Sequence, residues 1–241
     1  MKNQGFKILF LVVAMIGSMQ LGSCSKDTAE DYTVITDESA ASIEKLAAEA
    51  LLVDSCINAL PVEPLSEAEI DALNFMREEE LLAKDVYVML YSIYNVPVFN
   101  NISNSETQHA QAVGSLMVKY SLPDPALNHV AGVFVNADLQ ALYTSLVAQG
   151  NTSLISAFTV GATIEDLDIK DLQNQITTDI DNQDILFVFG NLERGSRNHM
   201  RAFNRQLTAQ GVTYTPQFIS QESFDQIIST PNETGTGVCS Q

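Results

Sequence analysis

Ile102-Ser103-Asn104-Ser105-Glu106-Thr107-Gln108-His109-Ala110-Gln111-Ala112-Val113-Gly114-Ser115-Leu116-Met117-Val118-Lys119-Tyr120 decides the reading of this chain. Taken in alternating steps of three and four, Ile102, Glu106, His109, Val113, Leu116 and Tyr120 fall on one helical face. The face is apolar except for an acid and a histidine one turn apart. A buried carboxylate is costly unless it is paired or coordinated.

The same fault recurs outward from this stretch. Residues 66–94 place Leu73, Met76, Glu80, Ala83, Tyr87 and Leu90 on one face. Residues 153–176 place Phe158, Gly161, Glu165, Asp168, Leu172 and Ile176 together. Residues 182–210 give Ile185, Val188, Leu192, Ser196, His199 and Phe203. Three of these seams also carry an ionisable group near the middle of the helix. One lapse is common, but four at compatible depth call for a shared cause, and a cation at the centre supplies it. Carboxylate oxygens with imidazole nitrogen suit iron, manganese or zinc.

Punctuation sets the elements. Ser66-Glu67-Ala68-Glu69 is a capping box. Pro97 and Pro123 bound the helices over 66–94 and 101–120. A shorter helix spans 138–149, closed by Gly150, and another follows Ser220. No long two-residue alternation suggests a sheet. The expected fold is all-α, a four-helix bundle with additional short helices.

The chain has 241 residues, with 12 Lys+Arg against 30 Asp+Glu and a formal charge of −18. That balance argues against nucleic acid, which needs clustered bases. The arginines at 194, 197, 201 and 205 form a stripe expected to pair with acidic neighbours. No P-loop, dinucleotide fingerprint or nucleophile motif competes.

Lys2, Lys7, the apolar run 8–16 and the small residues after it form the three-part pattern of a signal peptide. Leu21-Gly22-Ser23-Cys24 resembles the lipobox of bacterial lipoproteins. That resemblance implies cleavage after residue 23 and lipid attachment at Cys24. It points to a bacterial cell envelope, at the outer membrane or cell surface, with the membrane as partner through the lipid. The expected layout is a signal at 1–23, an acidic tether and N-terminal helix at 24–65, the bundle at 66–228 and a flexible tail at 229–241. Cys56 and Cys239 either pair in an oxidising compartment or stay separate thiols.

The residues also carry a resemblance to the ferritin-like superfamily, and more narrowly to an uncharacterised prokaryotic family with a ferritin-like domain. It rests on Arg77-Glu78-Glu79-Glu80-Leu81-Leu82-Ala83-Lys84-Asp85-Val86-Tyr87, on Phe99-Asn100-Asn101-Ile102 with Ser105-Glu106-x-x-His109, on Gly161 to Ile169, and on Gly195-Ser196-Arg197-Asn198-His199. The resemblance implies metal ligands at Glu80, Glu106, His109, Glu165 and His199. The pattern expects a glutamate where Ser196 stands, and Asp168 is the candidate replacement. Glu79 is the fallback for Glu80 if the helix is rotated.

Two functions follow. One is a lipid-anchored metal-binding bundle acting as a carboxylate-bridged iron oxidase or oxidoreductase on a small molecule that the sequence does not identify. The other is a structural or partner-binding module, in which Glu80, Glu106 and Glu165 pair with His109, His199 and Arg77 without metal. Oligomeric state is left open.

Overall fold

The structure is a computed structural model, and it describes residues 53–235. Cys24, most of the tether and N-terminal helix, and Cys239 lie outside the described residues. Within them the chain is all-helical, with no strand.

A helical stretch covers residues 53–59, and six helices follow. They are α1 (Glu67–Tyr94), α2 (Pro97–Lys119), α3 (Ala137–Gly150), α4 (Leu154–Thr178), α5 (Gln183–Ala209) and α6 (Gln221–Ser229). α1 begins at the expected capping box: Glu69 N–H donates to Ser66 Oγ (3.1 Å), and Ser66 N–H to Glu69 Oε2 (2.8 Å). It ends at Asn95, whose left-handed backbone (φ 52°) turns the chain.

The second helix starts four residues before the expected Asn101. Pro97 opens it, because proline's fixed φ and missing N–H suit a first helical turn. A proline that stops one helix here starts the next. The remaining boundaries differ from expectation by two residues or fewer.

Only Asn95 and Val96 join α1 to α2, so the two run antiparallel. Four residues join α4 to α5. α1 packs on α2 and α4, and α5 on α2 and α4, closing a ring of four long helices. α3 lies against α1 and α4 within the α2–α4 connection.

The ring is filled at two depths. Towards the N-terminus of α1 lies an aliphatic core of Leu73, Met76, Val113, Leu116, Leu172 and Val188. Towards its C-terminus, Tyr87, Phe99, Phe158 and Phe203 pack in contact, with ring centroids of the Tyr87–Phe203, Phe99–Phe158 and Phe99–Phe203 pairs 5.3–5.8 Å apart. Burying each such side chain contributes roughly 1.5–3 kcal/mol. Gly161 admits this cluster, since a Cβ there would sit 2.4 Å from the Phe203 ring.

Buried acids fasten the connections to the helices. Glu78 accepts from the backbone N–H of Val135 and of Asn136 (2.9 Å). Asp85 accepts from Gly132 N–H (2.7 Å) and lies 2.8 Å from His129 Nε2. Asp166 accepts from Tyr214 Oη, Ile219 N–H (both 2.9 Å), Phe218 N–H and Gln217 N–H. Glu233, past α6, pairs with Arg197 and Arg201 (2.6 and 3.0 Å). Two arginines of the stripe thus have the expected acidic partner.

Candidate metal centre

Between the two apolar layers the seam residues converge. Glu80 comes from α1, Glu106 and His109 from α2, Glu165 from α4 and His199 from α5. All but His109 are buried; His109 is partly so. They form two groups of three, Glu80 with Glu106 and His109, and Glu106 with Glu165 and His199. Within each group the potential ligand atoms lie within 4.8 Å of one another.

Glu106 belongs to both groups. Its Oε2 is 2.8 Å from His109 Nδ1, and its Oε1 is 2.9 Å from His199 Nδ1. Glu80 Oε2 lies 3.2 Å from His109 Nδ1, and Glu165 Oε2 lies 3.4 Å from His199 Nδ1. The two rings stack 5.6 Å apart. Both present Nδ1 to the carboxylates.

Their other nitrogens meet at Ser105, whose Oγ is 3.1 Å from His199 Nε2 and 3.5 Å from His109 Nε2. Sequence reasoning missed Ser105. Its signal was position: it stands one turn before His109 on the same helix, where a hydroxyl can reach the ring. A partner on the second nitrogen fixes ring orientation. Tyr87 Oη likewise donates to Glu165 Oε1, on a buried side chain.

Several acceptors have no hydrogen-bond partner. Glu80 Oε1 is buried without one, while both Glu106 oxygens, Glu165 Oε2 and His199 Nδ1 meet only one another and His109 Nδ1 in close ion pairs, with no further donor. Buried polar atoms are nearly always satisfied, so orphans concentrated on one centre need an explanation.

The electrostatics show the same imbalance. Burial raises Glu80 to about 8, and His109 offsets this only in part. Burial also raises Glu165, against the pull of His199. Burial opposes charge on His109, yet Glu80 and Glu106 outweigh it and push His109 up to about 10. His199 is raised for the same reason by Glu106 and Glu165. Glu106 alone is held below the ordinary range, where the two imidazoles overcome its burial.

Asp168 is buried but belongs to neither group. Ser196 is buried and donates to Leu192 O in its own helix (3.1 Å). Arg77 turns away from Glu80 and pairs with Asp124 (3.0 Å), with a further bond to Ala110 O. The three consecutive acids Glu78, Glu79 and Glu80 are all buried rather than forming a solvated face.

Gly195 makes room for His109: a Cβ there would lie 2.5 Å from His109 Cε1. Gly190, on the same helix, has nothing within 4 Å of a Cβ. Gly190→Ala should stabilise the fold by roughly 0.5–1 kcal/mol, the helix preference of alanine over glycine. Gly195→Ala should forfeit that gain and displace the His109 ring. Thermal melts with a Co(II) titration distinguish the pair, since only Gly195→Ala should weaken metal binding.

Comparison with known proteins follows the same residues. The family described as "Uncharacterized protein domain (DUF2202)" matches residues 69–231, which contain all five converging side chains. The chain is 51% identical over 179 residues to the uncharacterised protein MJ0754 of Methanocaldococcus jannaschii, covering 74% of this chain and 96% of that one. The crystal structure of hypothetical protein MJ0754 superposes with a TM-score of 0.71, over 72% of this chain and 99% of that one.

These findings correct the expected bacterial cell-envelope location. A relative this similar comes from an archaeon, which has no outer membrane. No helix among the described residues is long and apolar enough to cross a membrane. Both the family match, over more than half the chain, and the relative's identity lead to one conclusion: the chain belongs to the uncharacterised DUF2202 domain family.

Proposed function

We propose that the chain is a ferritin-like four-helix bundle that binds two transition-metal ions, iron first and manganese or zinc as alternatives, and serves as an oxidation centre. The observation that carries this reading is the sharing of Glu106 between two buried Glu/His groups. Bundles that hold two carboxylate-bound metals draw glutamates and Glu-x-x-His steps from facing helices. Glu80 and His109 would hold one ion, Glu165 and His199 the other, with Glu106 between them.

Charge balance supports it. Glu80, Glu106 and Glu165 are buried carboxylates in contact with two imidazoles, and Asp168 is buried within reach of their charge. With all four ionised, two protonated histidines leave that set negative. Two divalent ions with neutral histidines would balance it, and would give the orphaned oxygens a partner. Bound iron supplies redox chemistry with oxygen or peroxide. The protein's own part is to hold both imidazoles by Ser105, fix Glu165 by Tyr87, and exclude bulk water with the layers above and below. Ser196, whose hydroxyl donates to Leu192 O, offers no strong ligand one turn before His199.

The second reading is a metal-free module. It is favoured by one observation, the contact of both imidazoles with Glu106 below 3 Å.

Elemental analysis decides between them. The untagged protein should be incubated with Fe(II), Mn(II) or Zn(II), then freed of excess metal. Two ions per chain are expected for the wild type, and one each for His109→Ala and His199→Ala. Metal absent from all three would overturn the proposal. Oxygen uptake on adding Fe(II) then tests the oxidation chemistry.

A further inference from the structure

Water reaches the imidazoles of the centre but not its carboxylates. The side chains of Glu80, Glu106 and Glu165 are 0–1% exposed, whereas His109 is 15% exposed and His199 11%. Both rings bridge the seam between α2 and α5. His109 comes from α2 and lies over Gly195 of α5, where a Cβ would be 2.6 Å from its Nε2. His199 comes from α5 and reaches back to Ser105 of α2 with its own Nε2. On the opposite side of the centre, Glu79 of α1 and Asp168 of α4 are buried.

The order from the seam inward is therefore Nε2, ring, Nδ1, carboxylate. The stacked rings, 5.6 Å apart, stand where an ion arriving along the seam would pass. Ser105 Oγ touches both on their outer edge, at 3.1 Å for His199 and 3.5 Å for His109. A hydroxyl carries one proton, so it donates to one ring at a time. The longer contact is the weaker, and it belongs to the more exposed ring. Gly195 places no side chain beside that ring.

We propose that metal ions enter through the α2–α5 seam, that the His109 ring swings aside to admit them, and that the Ser105 hydroxyl is the catch that holds it shut. This inference rests on the reading of the centre as a metal site. It assigns Ser105 a task beyond orienting ligands. Support of a ligand acts on how long a bound ion stays. A catch acts on the rate of entry as well, so removing it should speed uptake even as it weakens binding.

Stopped-flow absorption with Co(II) and the metal-free full chain measures both rates. Ser105→Ala should raise the association rate constant at least threefold, and the dissociation rate constant by more than that. Ser105→Thr, which keeps the hydroxyl, should return uptake to the wild-type rate. Gly190→Ala, with nothing near its Cβ, should leave both rates unchanged. Faster release from Ser105→Ala with unchanged or slower uptake overturns the proposal. Diethyl pyrocarbonate, which acylates accessible imidazole nitrogen, gives a second measurement that needs no metal. Peptide mapping should find His109 modified in the metal-free wild type, with Co(II) uptake blocked in the modified fraction. An unreactive His109, or unhindered uptake after its modification, overturns the seam as the entrance. A wild type that reacts at His109 yet takes up no Co(II) would instead overturn the metal reading and, with it, the passage of ions.

Discussion

Replacing Glu106 with alanine should empty both metal positions at once. Each histidine serves one position, so each histidine variant should lose one ion. Glu106 presents Oε2 to the His109 group and Oε1 to the His199 group. Its removal deprives both ions of a carboxylate and of the charge between them. Removing a residue that only supports a ligand typically costs about 10–100-fold in metal affinity. Loss of a shared ligand should exceed roughly 100-fold at each position. Ser105→Ala, which leaves every ligand in place, should fall within the smaller range. Co(II) titration and elemental analysis measure both. Retention of a full metal complement by Glu106→Ala would contradict the shared role.

The pH dependence of stability should reverse sign when metal is bound. Without metal, His109 is raised from an ordinary 6.5 to about 10. Its contribution is complete below about pH 6.5 and vanishes as the pH climbs through 10. Glu80, raised by burial to about 8, and Asp171, raised by burial to about 6, also hold protons that the unfolded chain releases. Their contribution is likewise lost with rising pH, beginning from about pH 4. Glu106 runs the other way, but its loss falls at acid pH, outside this range.

Through His109 alone the metal-free protein should therefore lose on the order of 3 kcal/mol between pH 6 and 9, with Glu80 acting in the same direction. That corresponds to roughly 5–10 °C in melting temperature for a chain of this size. Metal-loaded protein should gain stability over the same range, because cation and proton compete for the same carboxylates and imidazoles. Differential scanning calorimetry with and without chelator measures the two slopes. Parallel slopes would count against metal at these residues.

The helical seams made most of the centre legible. Glu80, Glu106, His109, Glu165 and His199 were found by heptad position, because a period of 3.6 residues converts sequence spacing directly into a shared face. Spacing is silent about whatever depends on contacts between helices. Glu79 stands only as the fallback for Glu80 and Asp171 is passed over, since only the packing of α1 on α4 buries them together. His129 sits in the connection after α2, outside the helical pattern, and meets Asp85 through a loop path that no periodicity encodes. Ser105 carried no charge to make it conspicuous. Pro97 was misplaced because the same residue type ends one helix and begins another, and only the turn at Asn95 tells which.

Glu78, Glu79 and Glu80 are adjacent in the chain yet do three different jobs. Glu78 latches the Val135–Asn136 backbone, Glu79 meets Asp171, and Glu80 faces His109. Each residue along an α-helix turns about 100°. A single insertion or deletion between Ser66 and Glu78 would thus move two of these acids into a neighbour's place and carry the third out of the set. It would also break the tie from Asn182 N–H to Glu69 (3.1 Å) or strand the acids relative to it. The first three turns of α1 can vary in residue type on their solvent side, but their length is fixed by what lies beyond them.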